Sequence, residues 1–327
     1  MHVKSSYYYL LVLPVLMLAL LLAGCTADDE HENETQQNER VIQQAIAQVS
    51  PDSIRQFASM LEAMGTRFAL APNRREVAVA IMNKFKGFGY EDVQLDSFAL
   101  NLSWRNQYYE TWQYNVVANL NGKTYPDSLI IIGGHHDCIA TNPSDNPMVA
   151  TPGANDNASG VAVTLEVARV LINKGFKPSS TIRFVTFAAE ELGLYGSWHM
   201  ANQFHATQAK VKMMLNNDMV SYFPTSDPSS WVLNIIDYTA STTLRLTAQN
   251  IALKYTLLST TNDNLYQRSS DSYPFSQNGY RALFFIAQPD DPNYHTLRDS
   301  VSACNFHPAG EVAKLNCALI MNEEFSR

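Results

Sequence analysis

Metal-ligating side chains follow the apolar runs of this chain. "SLIII" leads into His135, His136 and Asp137, "TIRFVTFAA" into Glu190 and Glu191, "KVKMMLN" into Asp218, and "RALFFIAQPDDPNY" into His295. Two adjacent glutamates closing a strand that buries Ile182, Phe184, Val185 and Phe187 would repel and desolvate each other, and a cation removes that problem. The plainer reading is a solvated pair favoured by a helix dipole. His135 and Asp137 lie two apart on one side of an extended backbone, so Asp137 can orient His135 by accepting its second N–H, while His136 points the other way and is structural. "PGANDNASG" sets Asp156 between two asparagines just before a helix at Ser159, by itself a turn and an N-cap. His135, Asp156, Glu191, Asp218 and His295 together offer two imidazoles and three carboxylates, which suits zinc better than copper or an iron–sulfur cluster. Such a set can serve two metals about 3.5–4 Å apart, with one carboxylate bridging them.

The elements that must hold these groups are legible as periodicities. Helical spacing of apolar residues runs over Val41–Met64 and Arg74–Lys86, and again over Ser159–Lys174, Gly196–His205, Ser241–Leu253 and Ala309–Glu323. Candidate strands are "VQLDSFAL", "YNVVANL", "SLIIIGG", "TIRFVTFA", "KVKMMLNND", "WVLNII" and "RALFFIA". Their alternation predicts an α/β three-layer sandwich, a mostly parallel mixed sheet with helices on both faces. In such a sheet ligands gather beyond the carboxyl ends of the strands, where the candidate ligands fall. No repeat or low-complexity linker divides residues 49–327, which are read as one domain.

The segments "GGHHD", "PGANDNASG", "AAEELGLYGS", "NNDMV" and "NYHTLRDS" resemble, in order and spacing, the co-catalytic di-zinc aminopeptidases that include bacterial leucyl aminopeptidases. Weaker similarity at "MGTRFALAPNRREVA" and "GFGYEDVQL" extends the likeness over Val49 to Glu323. The resemblance implies zinc ligands at His135, Asp156, Glu191, Asp218 and His295, with Asp156 bridging two ions, Glu190 as general base and Asp137 orienting His135. It also points to Tyr266 and Asp271, in a loop region that shapes the substrate site in relatives; for both, a plain loop residue is the equal alternative. The chain departs from the pattern at Cys138, where many relatives have serine, and at "SDS" (Ser270 to Ser272), where "SDH" is common.

The implied activity is that of a zinc exopeptidase releasing N-terminal residues from peptides with free amino ends, through a two-zinc-activated water with Glu190 as base. Two alternatives stand beside it: a glutaminyl cyclase of the same fold, and a non-catalytic lipoprotein that binds metal or peptide. Distant relatives with cyclase activity resemble single-zinc sites, so five ligands favour hydrolysis, and an intact Glu190 speaks against a dead scaffold. A formal net charge of -8 without a basic run argues against nucleic-acid binding.

At the N-terminus, Lys4, an apolar stretch from Tyr7 to Leu22 and then "LLAGC" have the grammar of a secretory leader and resemble a bacterial lipobox. Residues 1–24 are read as a lipoprotein signal peptide, Cys25 as the lipidated residue and 25–48 as an acidic flexible tether, with a retained transmembrane anchor as the alternative. The expected location is outside the cytoplasm, lipid-anchored to the bacterial cell envelope. Beyond Cys25 the odd set Cys138, Cys304 and Cys317 has no CxxC pair and indicates neither a disulfide framework nor a thiolate zinc site, although Cys304 and Cys317 could pair in an oxidising compartment.

Overall fold

The computed structural model describes residues 34–326. The leader and Cys25 lie outside the described residues. Residues 34–46 are helical (α1), so part of the segment expected to be a flexible tether is ordered as helix. The helix expected over 41–64 is interrupted at 47–50, and α2 (Pro51–Glu62) starts afresh. The cause is local: Ser50 is extended and its hydroxyl accepts the Ser53 N–H at 3.2 Å, while Pro51 opens the first turn. Among the described residues no helix is long and apolar enough to cross a membrane.

The unit from Ala45 onward holds the sheet and the candidate site. After α3 (Arg74–Gly87) come β1 (Asp92–Trp104) and β2 (Gln107–Leu120), an antiparallel hairpin longer than the sequence pattern indicates. Arg105 and Asn106 at its turn both have positive φ, 47° and 62°, the two-residue geometry that matches strand twist. The chain continues through β3 (Tyr125–His135), α4 (Ser159–Asn173), β4 (Ser180–Phe187), α5 (Tyr195–Ala206), β5 (Lys210–Asn217), β6 (Val232–Ile236) and α6 (Thr242–Tyr255). It ends with a short β7 (Ser259–Thr261), α7 (Ser272–Gln277), β8 (Ala282–Gln288) and α8 (Phe306–Phe325).

The strands form one sheet in the order β1-β2-β4-β3-β5-β8-β6-β7. β4, β3, β5 and β8 are mutually parallel at its centre, and antiparallel pairings attach β2 to β4 and β6 to β8. The central strands are covered on both faces, which is why "LIII" is apolar without alternation: Ile130, Ile131 and Ile132 are all fully buried. Leu129 and Ile131 face one side with Val185, Phe187, Met214, Met200 of α5 and Phe275 of α7. The other face is covered by α4, which packs with α2 and α8. The expected three-layer α/β sandwich is therefore the observed fold, with each fully buried large apolar side chain contributing roughly 1.5–3 kcal/mol.

The possible Cys304–Cys317 bridge is not formed: among the described residues both thiols are free. Cys304 precedes α8 and Cys317 lies deep within it, about 16 Å of helical rise beyond its first residue, well outside the ~7 Å Cα limit of a disulfide.

Candidate metal centre

The parallel register brings the carboxyl ends of β3, β4, β5 and β8 side by side. His135 is opposite Phe187, Gly133 opposite Asn216, and Asn217 opposite Phe285. The residues just beyond these ends therefore converge: His135, Glu190 and Glu191, Asp218 and, after a longer loop, His295. Close approach is enforced by small residues, since a Cβ on Gly134 or Gly160 would collide with the carbonyl oxygen of Asn217. Ala189, Met219 and His295 have left-handed backbones (φ 56°, 58° and 54°), so local strain adjoins the ligand-type side chains.

His135 Nε2 lies 3.3 Å from Asp156 Oδ1, 3.3 Å from Asp218 Oδ1 and 3.8 Å from Glu190 Oε2. On the other side of Asp156, His295 Nε2 lies 3.1 Å from Oδ2 and 2.9 Å from Glu191 Oε2. Two overlapping groups of donor atoms result, His135 with Glu190 and Asp218, and His135 with Asp156 and Glu191. Three buried atoms in this ring, Glu191 Oε1, Asp218 Oδ1 and His295 Nε2, have no hydrogen bond of proper geometry among the described residues. Buried polar atoms are seldom left so. Orphaned nitrogen and oxygen donors aimed at a common space fit a divalent cation of the zinc type.

The electrostatics have the same origin. Burial raises the Glu190 carboxyl, and the charges of Glu191, Asp271 and Asp218 raise it further, so that it stands well above the usual range despite His135. Glu191 is raised by burial and by Asp156. Burial would raise Asp156 also, but His135 and His295 hold it well below the carboxylate range. Burial would lower His295, yet Asp156 and Glu191 push it up to about 10. Without a cation, protons must neutralise the ring.

Asp137 acts differently from the expected orienting carboxylate. His135 Nδ1 is 3.0 Å from the Asp137 backbone carbonyl and 3.8 Å from its carboxylate. The carboxylate instead accepts the N–H groups of Glu190 and Glu191 at 3.1 and 3.2 Å, because the turn after β4 leaves those donors facing it. His136 points away: its Nδ1 is 3.1 Å from Thr186 Oγ1, and burial and the Arg67 guanidinium push it down to about 3.

Of the loop residues, Tyr266 lines the cavity beside the ring, ≈ 270 Å³ in volume, and Asp271 does not. Asp271 is fully buried at the start of α7, close enough to Glu190 for its charge to raise that carboxyl. Burial first, and then the charges of Asp218 and Asp137, push its carboxyl up to about 7 despite His135.

Several residues outside the expected ligand set support it. Asp299 accepts the backbone N–H groups of Asn155 (2.7 Å) and Asp156 (2.9 Å), and so holds the turn that presents Asp156. Ser270 donates to Asp218 Oδ2 at 2.6 Å and accepts from Asn216 at 2.6 Å. Arg67 is buried and donates to the carbonyls of His136, Pro152 and Gly153, pinning the end of β3 to the Asp156 turn. Tyr294 stacks on His295 with ring centroids 3.7 Å apart. "RDS" at Asp299 and the arginine in "GTRF" are ordinary polar positions until the fold brings them here.

An α/β sheet bearing imidazoles and carboxylates at the ends of its parallel strands defines a class of protein with a cation site at the sheet's functional edge. The chain belongs to peptidase family M28, whose model matches residues 115–320. Among curated relatives it is 28% identical over 287 residues to a probable leucine aminopeptidase of Trichophyton verrucosum, covering 84% of this chain and 72% of that protein. It is 33% identical over 190 residues to a probable zinc metalloprotease of Pyricularia oryzae, covering 55% of this chain. The chain spans only 37% of that relative's length and 43% of a similar Pyrenophora teres protein. The fold is shared with the LapA aminopeptidase of Legionella pneumophila (TM-score 0.73, 22% identity, 88% of this chain and 75% of that one). It is shared also with a glutaminyl cyclase of Fimbriiglobus ruber (TM-score 0.67, 17% identity, 84% and 95%).

Proposed function

We propose that this protein is a zinc aminopeptidase with two metal positions, one served by His135, Asp156 and Asp218, the other by Asp156, Glu191 and His295. The observation that carries this reading is the division of Asp156, with Oδ1 toward His135 and Oδ2 toward His295. A carboxylate so shared suits a bridging ligand, and membership of a peptidase family supplies the reaction class. A zinc pair, when bound, supplies Lewis acidity toward a carbonyl and acidifies water.

The chain's own residues do the rest. Among the described residues no hydrogen bond ties down the Glu190 carboxylate, whose backbone is anchored on Asp137. It is therefore free to accept a proton from the attacking water and deliver it to the leaving amine. Burial of the ring excludes bulk water and strengthens each charge interaction. The free amino end of a peptide meets the carboxylates of Glu190 and Asp218, which an acetylated end cannot match.

The test is zinc analysis together with digestion of one peptide in free and N-acetylated forms. Stepwise loss of residues from the free amino end, inertness of the acetylated form, and loss of cleavage on chelation with recovery on adding zinc are expected. Internal or carboxyl-end cleavage of the acetylated peptide refutes the aminopeptidase reading, and cyclisation of N-terminal glutamine without peptide cleavage replaces it with the cyclase one.

The same proposal includes export as a lipoprotein through Cys25, supported by the leader grammar of residues 1–24. Cys25→Ser should release the chain from membranes or leave its leader uncleaved. An unmodified Cys25 behind an intact leader, measured by mass, overturns it.

A further inference from the structure

The cavity beside the carboxylate ring holds two aspartates that peptide hydrolysis does not use, Asp290 and Asp291. Its far wall is apolar: Met219, Tyr266, Phe284, Ile286 and Pro289 line it, and the first four pack together with Ile236. At ≈ 270 Å³ it lies below the roughly 300–1,000 Å³ typical of small-molecule pockets, room for one side chain rather than several. We propose that this pocket receives the side chain of the substrate's first residue and that Asp290 selects a cationic one, lysine or arginine. The proposal rests on the aminopeptidase reading above.

Three features support it. First, Asp290 is oriented: the Tyr266 hydroxyl donates to its Oδ2 at 2.8 Å, which leaves Oδ1 for an incoming donor. Asp290 is exposed at the pocket's edge, so only the tip of a long side chain reaches it. Second, Asp291 is buried and fixed beside it, with Oδ2 accepting from Asn155 Nδ2 at 3.0 Å and Oδ1 from the Asn293 N–H at 2.8 Å. Its charge reinforces that of Asp290 without needing contact.

Third, the charge is unbalanced. Asp156, Glu190, Glu191 and Asp218 would be matched by two divalent ions, whereas among the described residues no lysine or arginine lines the pocket to match Asp290 and Asp291. Asp290 lies at the end of an apolar wall, an arrangement that suits an alkyl stem with a charged tip. A shorter apolar side chain would fill the wall but give the carboxylate no partner, while an ammonium or guanidinium forms a charge-assisted hydrogen bond.

The experiment compares aminoacyl p-nitroanilides of lysine, arginine, leucine and norleucine on the zinc-loaded protein. Norleucine keeps the linear stem and lacks the charge. Lysyl and arginyl substrates should exceed norleucyl in kcat/KM by roughly two- to fivefold, the discrimination expected of an ion pair with an exposed carboxylate. Asp290→Asn should remove most of that ratio, and Tyr266→Phe, which frees the carboxylate from its anchor, part of it. Norleucyl turnover equal to or above lysyl in the parent protein overturns the proposal. So does a proportional loss on all substrates in Asp290→Asn, which would place Asp290 at the α-amine. Failure to cleave any aminoacyl substrate instead overturns the aminopeptidase reading on which the proposal rests.

Discussion

Glu190→Gln separates a base from a ligand, and the geometry makes the two outcomes distinct. Glu190 Oε2 is 3.8 Å from His135 Nε2, farther than the 3.3 Å of Asp156 and Asp218, yet near enough to belong to one of the two donor groups. Replacement by glutamine preserves volume and the backbone N–H bond to Asp137. The fold is therefore expected to survive, and removing a buried carboxylate beside Glu191 relieves repulsion. If Glu190 only moves protons, zinc content stays near that of the parent while kcat falls about 10²–10⁴-fold, the usual contribution of a positioned general base. That range corresponds to about 2.7–5.5 kcal/mol in the barrier. The assay is metal analysis after dialysis against a weak chelator, followed by turnover of a free-amine peptide on the same sample. Loss of zinc in parallel with activity would make Glu190 a ligand, and unchanged kinetics would remove it from the chemistry altogether.

His135→Ala should weaken zinc retention strongly whereas His136→Ala should not, since only the former faces the ring; equilibrium dialysis distinguishes them, and the reverse order would refute the assigned strand register. Asp299→Asn should lower zinc affinity by about 10–100-fold, because one of the two N–H groups presenting Asp156 loses its acceptor; wild-type affinity in that variant would show the turn to be self-supporting. Zinc binding near pH 7 should release protons, because His295 is pushed up to about 10 and Glu191 is raised in the metal-free protein while ligation needs both deprotonated. Apparent affinity should accordingly rise as pH rises from 6 toward 9, and calorimetry in buffers of different ionisation enthalpy that detects no proton release contradicts this.

Periodicity and strand-end chemistry by themselves determined the layer architecture, the positions of most central elements and the residues that meet at the sheet edge. The physical reason is that burial on both faces of a parallel strand demands a continuous apolar run, so polar residues immediately after it mark the mouth. The pairing of His135 with Asp137 was only half legible. Spacing placed both at one strand end, but the turn after β4 decided that the carboxylate would take the N–H groups of Glu190 and Glu191. Likewise the loop around Tyr266 and Asp271 had no period to read, and only packing put the first in the cavity lining and buried the second. The break between α1 and α2 was written in Ser50–Pro51, yet the apolar spacing running through it concealed the cap. Asp299 lies far along the chain from the Asp156 turn that it anchors. A hydrogen bond between such distant residues leaves no local pattern, because the partners are chosen by how α8, the sheet and its loops close on one another.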